Sequence, residues 1–171
     1  MPLVSVYDND PAVDGRQSDR AMMIRSGVMR GLAKAGLVFA AEITLANGRR
    51  ADSLGLDQSG LITIVEIKSS IADFEADSKW EEYRLFCDRF FFATHPEVPP
   101  EIFPDEEGLI IADLHGCEIV REARDGKLAA ARRKAVTLRL ARTSLSRLHQ
   151  LAVFNSDPGK PPSDEHLNPE K

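Results

Sequence analysis

Arg49-Arg50-Ala51-Asp52-Ser53-Leu54-Gly55-Leu56 and Leu61-Ile62-Thr63-Ile64-Val65-Glu66-Ile67-Lys68 flank a short turn, Asp57-Gln58-Ser59-Gly60, and their pairing decides the fold. Gly60 stands where a hairpin loop needs a positive φ. If Asp57 pairs with Leu61 across that loop, the register carries Asp52 directly opposite Glu66. Alternation along a strand then places Asp52, Glu66 and Lys68 on one face. Two carboxylates facing each other across an antiparallel pair repel. A positive group belongs between them, and a divalent cation with Lys68 alongside meets that need.

The later strand is informative beyond its charges. Ile62 and Ile64 precede Glu66 on one face, while Leu61, Val65 and Ile67 occupy the other. Apolar residues on both faces predict a central strand covered on both sides. A polar cluster at the end of such a strand is where an α/β protein usually places its site.

Outward from this hairpin, Ser18 caps a helix to about Ala35, with Met22, Met29, Leu32 and Ala33 as its apolar stripe and Gly36 ending it. A strand follows from Leu37 to Leu45, joined through Asn47-Gly48, a strong hairpin signal, to the strand from Arg50 to Leu56. After Ser69-Ser70 the pattern is helical to about Phe86, broken near Asp77, which caps Ser78 to Arg84. A buried strand from Arg89 to Thr94 precedes a proline-punctuated loop, Pro96 to Pro104. Strands from Gly108 to Leu114 and Cys117 to Arg121 surround a His115-Gly116 turn, and a last helix runs from about Leu128 to Leu151. The expected organisation is a flexible lead-in over 1–17, one domain over 18–154 and a loosely docked tail over 155–171. The fold class is α/β: a central mixed β-sheet flanked by helices, in the order αβββαβ with extra C-terminal strands and a helix.

The 171 residues, 43% hydrophobic and 29% charged, describe an ordinary globular domain able to bury its own core. No apolar run is long enough for a membrane span, so no membrane partner is expected. The N-terminus lacks a secretion signature, and Cys87 and Cys117 form neither a disulfide framework nor a zinc motif; a cytoplasmic location is the expectation. The net charge of −5 conceals an asymmetry: from Gly126 to Ser156 there are seven cations and no acid, leaving −12 elsewhere. Such a stretch either forms a phosphate patch or neutralises acidic neighbours within the fold.

Mg²⁺ favours one or two carboxylates supplemented by waters and substrate oxygens. Asp52 and Glu66 suit that sparse requirement, and the backbone carbonyl of Ile67 can add a ligand. Lys68 would then orient the attacking water and stabilise the charge developing on a phosphate. A Glu-x-Lys tripeptide alone is more often a solvated ion pair, worth at most about 1 kcal/mol. The facing Asp on an otherwise apolar hairpin shifts that balance. Other chemistries lack support, because the four histidines have no metal-ligand spacing, Cys87 adjoins an aromatic core run and no glycine-rich phosphate loop occurs.

With this element order, Asp52 and Glu66-Ile67-Lys68 resemble the PD-(D/E)xK nuclease superfamily, with Ala51 replacing the proline of the motif. The longer string resembles the MmcB-like family more specifically: Arg49-Arg50-Ala51-Asp52, Glu66-Ile67-Lys68-Ser69-Ser70, Asp73-Phe74, Asp77-Ser78-Lys79-Trp80, Tyr83 and Cys87-Asp88-Arg89-Phe90. That resemblance spans about Ile24 to Ala112. It implies a restriction-endonuclease-like core and a bacterial DNA-repair endonuclease. Asp52 and Glu66 would be metal ligands for Mg²⁺ or Mn²⁺, with Lys68 as catalytic base or charge stabiliser and DNA as partner. Lys79 and Tyr83, placed on one face of the following helix, resemble the Gln-x-x-x-Tyr element of RecB-like nucleases; lysine for glutamine suits a phosphate contact. Superfamily members sometimes take an extra acid from the first strand. Glu42 lies there and is a further candidate metal ligand: a two-residue hairpin loop sets it opposite Ser53, away from Asp52, whereas a bulge would reverse that.

Arg49 and Arg50 flank the site, where they either neutralise a DNA phosphate or form a solvated hairpin end. Trp80 reads as packing, and Asp73 and Asp77 as helix caps. The leading expectation is metal-dependent DNA cleavage. The alternatives are a non-catalytic DNA-binding accessory and a scaffold whose basic C-terminal helix takes an acidic protein. A homodimer, able to cut both strands at once, and a repair-protein partner both stay open.

Overall fold

Ser18 opens the first helix as its spacing predicts, its Oγ accepting the Ala21 N–H at 3.2 Å. In the computed structural model, which describes residues 18–155, this helix (α1, Asp19–Lys34) ends where Gly36 and Leu37 donate back to Ala33 and Leu32. The expectations for the lead-in, and for the tail beyond residue 155, lie outside the described residues.

Six strands follow: β1 (Val38–Thr44), β2 (Arg50–Leu56), β3 (Ile62–Lys68), β4 (Arg89–Thr94), β5 (Gly108–Ala112) and β6 (Cys117–Arg121). They form one mixed sheet in chain order, with β3, β4 and β5 parallel and the other neighbours antiparallel. All seven β3 residues are buried, as a central strand requires. The β2–β3 register pairs Ser53 with Val65 and Leu54 with Ile64, as the Asp57–Leu61 closure predicts.

Each face of the sheet has its own core. On one, Ile24, Val28 and Leu32 of α1 pack on Val65, Ile67, Phe91 and Ile110. Gly27 lets α1 lie this close: a Cβ there would come within 2.1 Å of the Asp113 carbonyl oxygen and 2.6 Å of that of Gly116. Gly27→Ala is therefore expected to destabilise the protein by about 1–3 kcal/mol, read as a lower thermal midpoint; an unchanged midpoint would rule out this contact as a constraint.

On the other face, Ile62, Ile64, Phe90 and Phe92 meet Phe103, and Val136 and Leu140 of the last helix (α3, Ala130–Asn155). Trp80 packs between Phe90 and Phe92, with ring centroids 5.8 and 5.1 Å away, as the packing interpretation expects. The region after β3 does break at Asp77. Its first half is a short helix, α2 (Ile71–Ala76), but its second half is a 3₁₀ helix, Trp80–Phe86, and not the α-helix read from the sequence.

The β1–β2 hairpin corrects a second expectation. Leu45 and Arg49 close a loop of Ala46-Asn47-Gly48, with Gly48 at φ 85°, in place of a two-residue turn. Ala41 consequently faces Ser53, and Glu42 falls at the level of Asp52. Glu42 itself has φ 54°, and the 42–52 pair drops out of the ladder. Leu54 and Ala51, three residues apart, then join the same core, so the strand pair rolls by half a turn between them.

Four of the seven cations after Gly126 tie α3 to the rest of the domain. Arg133 grips Asp88, Arg132 reaches the Leu85 carbonyl, and Arg139 and Arg147 donate to carbonyls of β1. Among the described residues no helix is long and apolar enough to cross a membrane.

Candidate metal and nucleic-acid site

Past Ser53–Val65 the ladder between β2 and β3 stops, and side chains take over its hydrogen bonds. The Asp52 N–H donates to Glu66 Oε1 at 3.0 Å, and the Ile67 N–H donates to Asp52 Oδ2 at 2.8 Å. Each acid thus occupies backbone that the other strand no longer reaches. The N–H and C=O of a strand residue point to the same side, so the Ile67 carbonyl is also directed at the parting strands. A cleft of about 470 Å³ opens there, lined by Arg50, Asp52, Glu66, Ile67, Lys68 and Tyr83. Ser18 and Ala21, from the start of α1, close one side.

Burial raises the Asp52 carboxyl to about 6, against the hydrogen bond from Ile67. Burial and the Asp52 charge push Glu66 well above the usual carboxylate range. Both acids are thus costly as anions, and two hard oxygen donors beside Ile67 on one cleft are of the donor type that Mg²⁺ or Mn²⁺ takes. Among the described residues no group of three or more His, Cys, Asp or Glu side chains is placed to hold a metal ion, so any cation here would rest on the two acids, a carbonyl and ligands from outside the chain.

A consequence for stability follows from Asp52. Its folded-state value lies above the ordinary 3.8, so the folded protein binds this proton more tightly than the unfolded chain does. Stability is then higher at low pH and declines as pH rises from about 4 through about 6. Asp52→Asn removes the anion while retaining an acceptor for Ile67. It should raise stability at pH 8 in chelator by about 1–3 kcal/mol, a gain that vanishes near pH 4. Thermal unfolding at the two pH values tests this; a variant destabilised equally at both would refute it.

Lys68 is almost wholly buried, with Nζ 2.7 Å from Asp77 Oδ2. Burial alone would raise Asp77, but the hydrogen bond and charge of Lys68 hold it below the usual carboxylate range. Arg49 reaches the same carboxylate at 3.0 Å and lies 4.8 Å over the Tyr83 ring. The Tyr83 hydroxyl donates to the Arg50 carbonyl at 3.0 Å. Burial, followed by the charge of Glu66, raises the Tyr83 hydroxyl, which keeps the proton it donates to Arg50.

The structure thus brings Asp52, Glu66, Ile67, Lys68, Arg50 and Tyr83 to one cleft, with Arg49 behind it. It does not bring Lys79 there. Lys79 is exposed at the head of the 3₁₀ helix, where three residues complete a turn, so residues 79 and 83 do not share a face. Glu42 comes level with Asp52, yet its carboxylate goes to Arg25 at 3.3 Å and to Arg50 at 2.5 Å. Burial pushes the Cys87 thiol up to about 12, in keeping with a core residue. Sequence reasoning passed over Arg25, whose signal is a cation adjoining the apolar stripe of α1. It also assigned Asp77 to capping alone.

These features define an α/β protein with a mixed six-stranded sheet, helices on both faces and a buried acid pair where two central strands part. The chain belongs to the DNA repair protein MmcB-like family, which matches it over residues 8–155. It is similar to the solved structure of SPO1766, a protein of unknown function from Silicibacter pomeroyi. The two are 41% identical, with 82% of this chain and 96% of that one covered and a TM-score of 0.78. No curated protein matches the chain.

Proposed function

We propose that this protein hydrolyses DNA phosphodiesters during DNA repair, on a restriction-endonuclease-like core of the PD-(D/E)xK type. The observation that carries this reading is the meeting of Asp52 and Glu66 from separate strands, each bonded to the backbone of the other strand, with Lys68 in the same cleft. Mg²⁺ or Mn²⁺, held by Asp52, Glu66 and the Ile67 carbonyl, would supply a water of lowered pKa and offset charge on the phosphate.

The remaining work belongs to the chain's own groups. Lys68 orients the attacking water and, as an ammonium, stabilises the negative charge that accumulates as the phosphorus takes a fifth oxygen. Arg50, half exposed at the cleft, offers a guanidinium to a neighbouring phosphate, while Tyr83 steadies its backbone. The basic stretch contributes less to DNA binding than its charge suggests, since much of it is turned inward onto β1 and the β2–β3 turn.

The test is incubation of the purified chain with single-stranded, duplex, gapped and flapped DNA in Mg²⁺ or Mn²⁺, with chelator controls. Metal-dependent product is the expected result. Salt-dependent DNA binding without product from any form would overturn the hydrolase reading and favour the non-catalytic accessory.

A further inference from the structure

Asp77 stands at the C-terminal end of α2, where its backbone N–H donates to the Phe74 carbonyl at 3.1 Å. Its Oδ1 closes a turn by accepting the Lys79 N–H at 3.2 Å and also receives Arg49 at 3.0 Å. The other oxygen, Oδ2, accepts from Lys68 Nζ at 2.7 Å. Capping accounts for the first of these carboxylate contacts, which Asn or Ser would make equally well. It does not account for the second and third, which need an anion with two separately aimed oxygens.

The amine needs such a partner. A lysine is a point charge on a flexible four-carbon stem, and its position is set by what its ammonium meets. Lys68 is buried, with its side chain 6% exposed, and its closest acid is not Asp52 or Glu66 but Asp77 from another element. Arg49, on the same carboxylate, leans over Tyr83, whose ring lines the cleft. One acid therefore joins the buried amine to a guanidinium behind the site.

Resting on the hydrolase reading above, we propose that Asp77 is the positioning residue for Lys68 and couples its placement to Arg49. Removing the Asp77 charge should lower turnover and leave substrate binding nearly intact. A purely structural cap would show neither that separation nor any effect on the Lys68 ammonium.

The experiment compares the wild type with Asp77→Asn and with Asp77→Ser, both of which keep an acceptor for the Lys79 N–H. Steady-state cleavage is measured alongside the spectrum of ¹⁵N-labelled lysine ammonium groups in the metal-free protein. The expected result is a kcat about 10–100-fold lower with KM within about threefold, and a displaced Lys68 resonance in both variants. Arg49→Ala should displace the same resonance. Wild-type turnover in both variants would overturn the inference while leaving the hydrolase reading standing, as would a rise in KM with kcat intact. Absence of cleavage by the wild type would instead sink the hydrolase reading. The ammonium spectrum then decides the placement of Lys68 by itself: an unmoved resonance overturns it, and a displaced one upholds it.

Discussion

Asp52→Asn, Glu66→Gln and Lys68→Ala should each reduce metal-dependent DNA cleavage by roughly 10³-fold while leaving a folded protein. The magnitude is that of losing one group aimed at charge which develops only in the transition state. The three losses should differ in kind. In the proposed reading Asp52 and Glu66 share one ligand site, so either substitution should weaken the apparent affinity for Mg²⁺, and the double variant should lose little beyond the worse single one. Lys68→Ala should preserve metal affinity and lower turnover alone. Isothermal titration with Mn²⁺ beside single-turnover cleavage separates these cases. Wild-type cutting by any of the three variants would remove that residue from the catalytic assignment.

Asp88→Ala should cause the largest loss of stability. The Asp88 carboxylate, 5% exposed, accepts the Ile62 N–H at 2.8 Å and the Leu128 N–H at 3.2 Å. It also takes both Arg133 amines, at 2.7 and 2.6 Å. One side chain therefore holds the start of the central strand, the approach to α3 and α3 itself. Its removal leaves two backbone donors and a guanidinium without their acceptor, at an expected cost of about 3–5 kcal/mol. For a domain of this size that corresponds to a fall in thermal midpoint of roughly 10 °C or more. Arg133→Ala should cost less, since Arg133 is 35% exposed and water can reach what it leaves behind. A midpoint within about 2 °C of wild type for Asp88→Ala would refute this role.

Much of the hairpin that carries the site can be read from local chemistry. Asp57 and Gly60 set the turn, the turn sets the register, and the register brings Asp52 level with Glu66. The double-sided burial of β3 follows from its two apolar faces in the same way. What escaped the sequence depends on contacts between distant segments. Asn47-Gly48 occurs in two- and three-residue loops alike, and nothing local marks the positive φ of Glu42. The 3₁₀ form of Trp80–Phe86 accompanies the seating of Trp80 and Tyr83 on the aromatic strand β4, which helix propensity does not report. The partners of Lys68 and Glu42 are long-range choices among several acids and cations of similar type. The cations of α3 were countable, but their inward direction depended on where the helix docked.

That docking also governs how the sheet meets other molecules. A terminal strand offers a row of unpaired backbone groups on which another strand can build, and proteins blunt such rows to avoid aggregation. At the β1 end, Arg147 already binds the Ala41 and Glu42 carbonyls and Arg139 the Thr44 carbonyl. An incoming chain would have to displace guanidinium groups to gain those acceptors. At the opposite end, β6 exposes Ile119 and Val120. Sheet extension is thus guarded on the flank nearest the acid pair, where a second strand would meet cations in place of free acceptors.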